Sequence, residues 1–393
     1  LNGGGQGYYA LNVTNPKDAA KSEPVFSEAN AASLLLWEFS NADDSDMGYS
    51  YNLPHINSFT GQARQIVKME NGKWAVIVGN GYNSANGKAV LYILFVTGGE
   101  DGSWTLGTDY IKVIADAGTA NGLSTPTPFD SNGNGLADVI YAGDFKGNLW
   151  KFDVSSSTPS NWKVAMSGLP LFVTGTAKPI ISPPAVTFHP KRGQQIMFGT
   201  GKYLETADTT DTSTQTIYGL WDLNTAATIT QSMLVQQTMT DGTTRTATQH
   251  QVPYSAPIKG WYLNLPLSGE RMTAIPSAND GILFFATIVP SASPCDFGGR
   301  GFLNALDYYS GGMLSFPTFD YTRNRVLSLE DGLSAGIEIG FSIGGATVIS
   351  DSSVSAISNV ASGMRGDGEA YQTLMTKGAA GLRGRITWRE FMP

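Results

Sequence analysis

Hydrophobic residues in this chain come in short runs that are separated by glycine-rich turns. The run at 74–78 (WAVIV) precedes the turn GNGYNS at 79–84, and the run at 195–198 (QIMF) precedes GTGKY at 199–203. A third run, GILFFA at 281–286, has the same β-branched and aromatic character. Short runs of this composition between glycine turns indicate β-strands with tight connections. The pattern therefore predicts antiparallel sheets.

A four-residue motif recurs at unequal intervals: an aromatic residue, any residue, an aliphatic residue or Phe, and then Asp or Asn. Imperfect copies occur at 9–12, 150–153, 218–222, 261–264 and 303–307. Self-similarity of this kind indicates repeated sheet units, which can bury their faces on one another when they are arranged radially as in a β-propeller. Five or six units can be counted, and the two ends of the chain could complete a seventh.

Two stretches depart from this rhythm. Residues 206–216 and 225–251 are rich in Thr, with added Gln, Asp and Ala. We interpret both as long surface loops or insertions. A helix over 226–237 is the alternative, but its threonines are poor helix formers.

The composition of the 393-residue chain supports an all-β fold, with 46 Gly and only 15% charged residues. A net charge of −8 argues against nucleic acid or an anionic membrane surface as partners. No run of eighteen apolar residues occurs, so no membrane span is expected. The first residues, LNGGG, resemble the middle of a protein, so we expect a fragment of a longer one. Cys295 stands alone, which excludes an internal disulfide framework.

The strongest chemical signal is the segment 130–138, DSNGNGLAD, in which oxygen-bearing side chains alternate. Ca²⁺ takes six to eight oxygen ligands, and a tight loop can supply them from every second residue. Gly135 falls at the sixth position, where such loops bend most sharply. The predicted ligands are the side chains of Asp130, Asn132, Asn134 and Asp138 and the carbonyl of Leu136.

This loop is not an ordinary helical calcium hand. The twelfth position, where such a hand has a bidentate Glu, is Tyr141. Residues 139–141 (VIY) predict a strand after the loop, and the prolines in 124–128 exclude a helix before it. The ion would therefore join two strand ends. Two carboxylates just balance its charge, so we expect a Kd of about 10⁻⁵ to 10⁻³ M. The alternative is an Asn-Gly turn without an ion.

Several segments of the chain, in order, are similar to the PilY/PilC family of type IV pilus adhesins. They are GQGYYALNVTNP (5–16), GNGYNS (79–84), DSNGNGLADVIYAGDFKGNLWKFDV (130–154), FGTGKYLE (198–205), PCDFGGRGFLNALDYYSGG (294–312) and GRITWREF (384–391). The resemblance spans nearly the whole chain. It implies a modified seven-bladed β-propeller, which we expect to be a single domain over 1–393 with the two insertions described above.

The resemblance also implies a function. It indicates an exported protein of a Gram-negative bacterium, carried at the cell surface on the pilus tip or at the outer membrane. Such proteins support pilus assembly and twitching, and the implied partners are major or minor pilins and a host-cell receptor or abiotic surface. The family's calcium loop affects the balance between pilus extension and retraction, and that role would fall on the five ligands named above. Family loops often carry Asp at the positions of Asn132 and Asn134, so a different affinity is expected here.

Two other segments carry candidate chemistry. Arg365, Gly366 and Asp367 spell the tripeptide that integrins recognise, although glycine is common enough here for a chance match. The acidic segment 43–46 (DDSD) could form a second cation site or a solvated loop, and we favour the loop because no glycine-bent alternation follows.

Two other classes of function compete with an adhesin. The repeat is similar to that of quinoprotein dehydrogenase propellers, but the vicinal cysteine pair of the alcohol-oxidising members cannot exist in a chain whose only cysteine is Cys295. No catalytic constellation can be proposed from spacing, and we predict no enzyme. A carbohydrate-binding, lectin-like module is the second alternative, because exposed Trp and Tyr can stack on sugars, although most are expected in the sheet cores.

Overall fold

The structure of the protein is a computed structural model. The residues it describes are 5–16, 24–53, 55–56, 63–64, 66–225, 227–291, 299–322, 327–339, 347–349, 358–364 and 370–376. The chain divides into two compact units, of which unit 1 comprises Leu1–Ile56 and Ala63–Leu171, and unit 2 comprises Asn57–Gln62 and Phe172–Pro393.

Unit 1 is built from short strands in antiparallel sheets. Its strands are β1 (Gly7–Leu11), β2 (Leu35–Ser40), β3 (His55–Ile56), β4 (Ala63–Arg64), β5 (Ile66–Lys68), β6 (Trp74–Gly79), β7 (Ala89–Phe95), β8 (Tyr110–Asp116), β9 (Thr127–Phe129), β10 (Val139–Gly143), β11 (Asn148–Asp153) and β12 (Lys163–Val164). Its helical turns are α1 (Ala31–Leu34) and the 3₁₀ segments Glu28–Asn30, Pro159–Asn161 and Met166–Gly168. The strands pair as β1-β2, β3-β4, β5-β6-β7-β8 and β12-β11-β10-β9.

The sequence of strand β7, AVLYILF, is hydrophobic throughout because both faces of the strand are covered. All seven of its residues are buried. On one face, Ile93 and Phe95 pack in a core with Ile140 of β10. On the other face, Val90 packs in a core with Phe39 of β2. A strand that is covered on both faces cannot show the alternation of a half-exposed strand.

Unit 2 has the same character. Its strands are β13 (Phe172–Val173), β14 (Ala185–Phe188), β15 (Gln194–Gly199), β16 (Thr216–Asp222), β17 (Leu234–Gln237), β18 (Thr244–Arg245), β19 (Gly260–Asn264), β20 (Ser277–Asn279), β21 (Ile282–Pro290), β22 (Gly299–Asp307), β23 (Gly336–Glu338), β24 (Thr347–Ile349), β25 (Ser358–Met364) and β26 (Ala370–Thr376). Its 3₁₀ segments are Thr206–Thr209, Gln231–Met233 and Leu329–Asp331. The sheets have the orders β14-β15-β16-β19-β17, β18-β23-β22-β21-β20 and β24-β25-β26.

In two copies of the recurring motif the aromatic side chain is buried in a core. The copies at 150–153 and 261–264 form the ends of β11 and β19. The indole N–H of Trp150 donates to the Asp144 carboxylate at 2.8 Å, and that of Trp261 donates to the Tyr308 carbonyl at 3.0 Å. Both indoles are buried, so these bonds satisfy donors that have no access to water.

The Thr-rich stretches have more structure than open loops. After the 3₁₀ segment in 206–209 the first stretch ends in β16, which begins at Thr216. The second stretch contains β17 and β18, and β17 pairs in parallel with β19. In the described part of 226–237 the chain forms a 3₁₀ turn and a strand, and no α-helix.

None of the helical segments in the described ranges has the length and hydrophobicity of a membrane span.

Candidate calcium loop

The segment 130–138 connects two neighbouring antiparallel strands. Strand β9 ends at Phe129 and β10 begins at Val139, and these two residues are paired in the sheet. The Asp138 N–H donates to the Phe129 carbonyl at 3.2 Å, which closes the base of the loop. As predicted, a strand follows the loop and no helix precedes it. The two ends of the loop are therefore fixed by the sheet.

Side-chain oxygens organise the loop from inside. The Asp130 carboxylate accepts N–H groups from Gly133 at 2.6 Å, Gly135 at 2.7 Å and Asn134 at 3.2 Å. Gly133 and Gly135 both have a φ near +80°, which L-residues with side chains rarely adopt. The two glycines therefore let the backbone wrap around the Asp130 carboxylate.

The two asparagines repeat this arrangement on a smaller scale. The Asn132 Oδ1 atom accepts the Asn134 N–H at 3.0 Å, and the Asn134 Oδ1 atom accepts the Leu136 N–H at 2.8 Å. Each amide oxygen has two lone pairs, so one remains on each after these bonds. The side-chain oxygens of Asp130, Asn132 and Asn134 thus each accept a backbone N–H from two to five residues further along the loop. We call this set of bonds the oxygen ladder.

Asp138 is the buried member of the set, with 5% of its surface exposed. Its Oδ1 accepts the Ser131 N–H at 2.9 Å, and its Oδ2 accepts the Ser131 hydroxyl at 3.0 Å. Burial raises the pKa of the Asp138 carboxyl above its ordinary value, the charges of Asp130 and Glu70 add to the rise, and the bonds from Ser131 oppose it. A cation bound nearby would offset both the cost of burying the Asp138 carboxylate and its repulsion from Asp130 and Glu70.

Glu70 is brought to this loop by the fold, and no sequence motif indicates it. Glu70 lies in the turn between β5 and β6, and its Oε1 accepts the Asn134 side-chain N–H at 2.9 Å. Beside it, Met69 pairs with Ala137 in a parallel bridge, and the Ala137 N–H donates to the Lys68 carbonyl at 2.9 Å. Glu70 and Asn134 are 64 residues apart in the sequence, so their contact exists only because one sheet packs on the next.

The donor set of the loop suits calcium by its chemistry. A carboxylate has about four acceptor sites, of which Asp130 uses three and Asp138 uses two. Across the ranges that the structure describes, no three side chains of His, Cys, Asp or Glu are grouped as a metal centre. A site here would therefore combine carboxylates with amide and carbonyl oxygens, all of them the hard ligands that Ca²⁺ prefers.

In the second acidic segment, two of the three carboxylates are paired with lysines. The Lys112 ammonium lies 2.7 Å from the Asp44 carboxylate and 2.6 Å from that of Asp46. Lys88 lies 3.2 Å from Asp46 as well. Asp46 is 1% exposed, so this segment is a paired and partly buried cluster instead of a solvated loop or a cation site.

Two features of the sequence lie outside the described residues. They are the tripeptide Arg365, Gly366 and Asp367, and Cys295.

Most tryptophans in the described ranges serve the cores. The buried ones are Trp37, Trp150, Trp162, Trp221 and Trp261. Trp74, the first residue of β6, is 54% exposed. For tryptophan, this distribution is the one expected of structural aromatics.

Comparisons with known proteins give the family. The profile of the PilY1 beta-propeller domain matches residues 1–252. The type IV pilus biogenesis factor PilY1 of Pseudomonas aeruginosa (strain UCBPP-PA14) is 34% identical over 391 residues, covering 83% of this chain and 31% of that protein. A type IV pilus biogenesis factor PilY1 homolog of Xylella fastidiosa (strain Temecula1 / ATCC 700964) is 35% identical over 338 residues, covering 79% of this chain and 21% of that protein.

A solved structure is also similar. The crystal structure of the Pseudomonas aeruginosa PilY1 C-terminal domain matches with a TM-score of 0.70 and 30% identity, covering 95% of this chain and 78% of that chain. This chain spans less than a third of the length of the two curated relatives described above. The matches confirm the prediction of an all-β propeller fold and the resemblance from which the family was predicted.

Proposed function

Since this chain belongs to the PilY1 beta-propeller family of type IV pilus biogenesis factors, we propose that it is the calcium-responsive, non-catalytic domain of a pilus-associated surface adhesin. The observation that carries this proposal is the oxygen ladder of the loop 130–138, with a buried carboxylate at its end. The ligands are the side chains of Asp130, Asn132, Asn134 and Asp138 and the carbonyl of Leu136.

Calcium would act by stabilising one arrangement of a strand-to-strand connection. A ligand that binds only the ordered loop shifts its equilibrium by RT ln(1 + [L]/Kd), which is about 1.4 kcal/mol when free calcium is ten times Kd. A shift of this size is enough to strengthen or release a weak protein contact. We propose that the contact is with pilin subunits, and that calcium occupancy of the loop regulates the balance between pilus extension and retraction. Attachment to a host-cell receptor or an abiotic surface would follow from display at the pilus tip or outer membrane.

The proposal is tested first by calcium binding. Isothermal titration calorimetry of the unchanged chain should give a Kd of about 10⁻⁵ to 10⁻³ M. Asp130→Ala and Asp138→Ala should each weaken binding at least tenfold, because each removes one of the two carboxylates that balance the ion. Asp101→Ala is the matched control, since Asp101 also accepts backbone and hydroxyl bonds from one serine, Ser103, in an exposed turn.

The same variants in the full-length protein then test the physiological role. Twitching and piliation, measured over a series of calcium concentrations, should lose their calcium dependence in Asp138→Ala and keep it in Asp101→Ala. Calcium binding that is equal in all of these variants would refute the assignment of the loop.

Integrin contact through Arg365, Gly366 and Asp367 is a separate proposal, supported only by the tripeptide itself. Arg365→Lys and Asp367→Glu should each reduce binding to integrin-bearing cells, because integrins require both charged groups at their original lengths. Undiminished binding in both variants would dispose of it.

A further inference from the structure

We propose that Glu70 is a positioning residue for the calcium loop, which fixes the Asn134 amide so that its oxygen faces the ion. This inference rests on the proposed calcium site. It assigns a role to a residue outside the loop, on the neighbouring sheet of unit 1.

The two ends of the Asn134 amide have different partners. Its oxygen accepts the Leu136 N–H at 2.8 Å, inside the loop, and its NH₂ group donates to the Glu70 carboxylate at 2.9 Å, outside the loop. An ionised carboxylate can only accept hydrogen bonds. A reversed amide would therefore place its oxygen against the carboxylate of Glu70 and its NH₂ group against the Leu136 N–H. Both contacts would be repulsive, so Glu70 selects the orientation that a cation requires.

Glu70 is held firmly enough to do this. It follows Met69, which is fully buried and bridges to Ala137 of the loop. A hydrogen bond of 2.8 Å from the Gly72 N–H to the Met69 carbonyl closes a β-turn with Glu70 at its second position. Met69 and Ala137 also share one hydrophobic core. The backbone of Glu70 is thus fixed by the turn and by the packing of Met69, and its carboxylate contacts Asn134 from this position.

The same contact explains why an amide suits position 134. An aspartate there has no N–H to donate, and its negative charge would lie beside that of Glu70, which like charges disfavour. Asn134 and Glu70 are therefore a matched pair. Partners outside the ligand shell commonly change metal affinity by 10- to 100-fold, because they fix the orientation of the ligands.

Calcium titrations of five variants test the pairing of Glu70 with Asn134. Three of them change Glu70 or a control residue, and the other two carry Asn134→Asp. Glu70→Ala removes the acceptor and should weaken calcium binding about tenfold. Glu70→Gln loses the charge but keeps an amide oxygen that can accept from Asn134, so its affinity should lie between those of Glu70→Ala and the unchanged chain. Glu38→Gln, at an exposed carboxylate on β2, should bind as the unchanged chain does. If only charge mattered, Glu70→Ala and Glu70→Gln would be equal.

The pairing with Asn134 has its own signature. Glu70→Gln should weaken calcium binding less in the Asn134→Asp background than in the unchanged chain, because an aspartate at position 134 has no N–H group for residue 70 to hold. An equal effect of Asn134→Asp in both backgrounds, together with an unchanged affinity in Glu70→Ala, would overturn the role of Glu70 while leaving the calcium loop in place. Failure of the unchanged chain to bind calcium would overturn the loop and this inference together.

Hydrogen exchange tests whether calcium binding in the loop also stabilises residues 68–73, which an affinity measurement does not show. Calcium should slow exchange in residues 68–73 as well as in the loop, because the bond to Glu70 joins them. In Glu70→Ala the loop should still be protected at saturating calcium, whereas the response of 68–73 should become smaller, because only the backbone bridge between Met69 and Ala137 then joins the two segments. Protection of 68–73 that responds equally in both proteins would count against the coupling.

Discussion

Removing Glu270 is expected to destabilise unit 2 by more than an ordinary surface change, because it leaves a buried guanidinium without its counter-charge. Glu270 and Arg245 are both fully buried. The two Arg245 NH groups donate to the two carboxylate oxygens at 2.7 and 2.9 Å. Thr287 also donates its hydroxyl to Glu270 at 2.5 Å, and the guanidinium stacks on the Phe302 ring with 3.4 Å to its centroid.

The expected magnitude follows from this geometry. Breaking a buried ion pair by removing one partner typically costs about 3 to 5 kcal/mol, since the remaining charge keeps its desolvation penalty and loses its compensation. Glu270→Ala should therefore lower the free energy of unfolding by about that amount. The double variant Arg245→Met with Glu270→Leu should cost less than Glu270→Ala alone, because neither charge remains in the interior.

Urea unfolding, followed by far-UV circular dichroism, measures the effect. The midpoint should fall in Glu270→Ala with the slope unchanged, which identifies a change of stability instead of a change in the unfolded state. Glu38→Gln serves as the control for loss of one exposed carboxylate, and surface changes of this kind usually stay within about 0.5 kcal/mol. A loss below about 1 kcal/mol in Glu270→Ala, or a double variant that is less stable than the single one, would refute the reasoning.

Two more predictions concern buried basic side chains of unit 2. Burial lowers the pKa of His189 to about 4 from an ordinary 6.5, so the folded state binds this proton more weakly than the unfolded state does. Stability should therefore be full above about pH 6.5 and fall by about 3 kcal/mol as the pH drops to about 4, a loss that urea titrations should find absent in His189→Phe. Arg271, 1% exposed, donates to three carbonyls of residues 202–211. Arg271→Lys cannot reproduce this planar set of bonds, so it should cost about 1 to 3 kcal/mol and speed hydrogen exchange in 202–211, and unchanged exchange there would contradict the assigned role.

The local parts of the molecule could be predicted from sequence. The strand after the calcium loop, the position of its sharp glycine bends and the alternation of its oxygen-bearing residues all depend on neighbours within ten positions. Turn chemistry and β-propensity act at that range, so a motif such as 130–138 retains its meaning without its surroundings. The family, and with it the propeller fold, followed from several such segments in order.

The partners of buried charges could not be predicted in this way. The acidic segment 43–46 gave no sign that Lys112 would approach from a different sheet, and so its interpretation as a solvated loop was wrong. Glu270 and Arg245 are 25 residues apart, and nothing near either one in the sequence indicates a pair. Long-range electrostatic contacts depend on which strands become neighbours, and a single sequence does not contain that information in readable form.

Sequence by itself determined the short strands, the glycine turns and an oxygen-rich loop able to bind a hard cation. Tertiary structure decided that Asp138 is buried, that Glu70 holds the Asn134 amide, and that β7 is covered on both faces. The physical reason is the distance along the chain over which each kind of interaction acts. Backbone preference and hydrogen bonds between a side chain and its own loop are set within a few residues, whereas burial and the approach of distant charges exist only once one sheet packs against another.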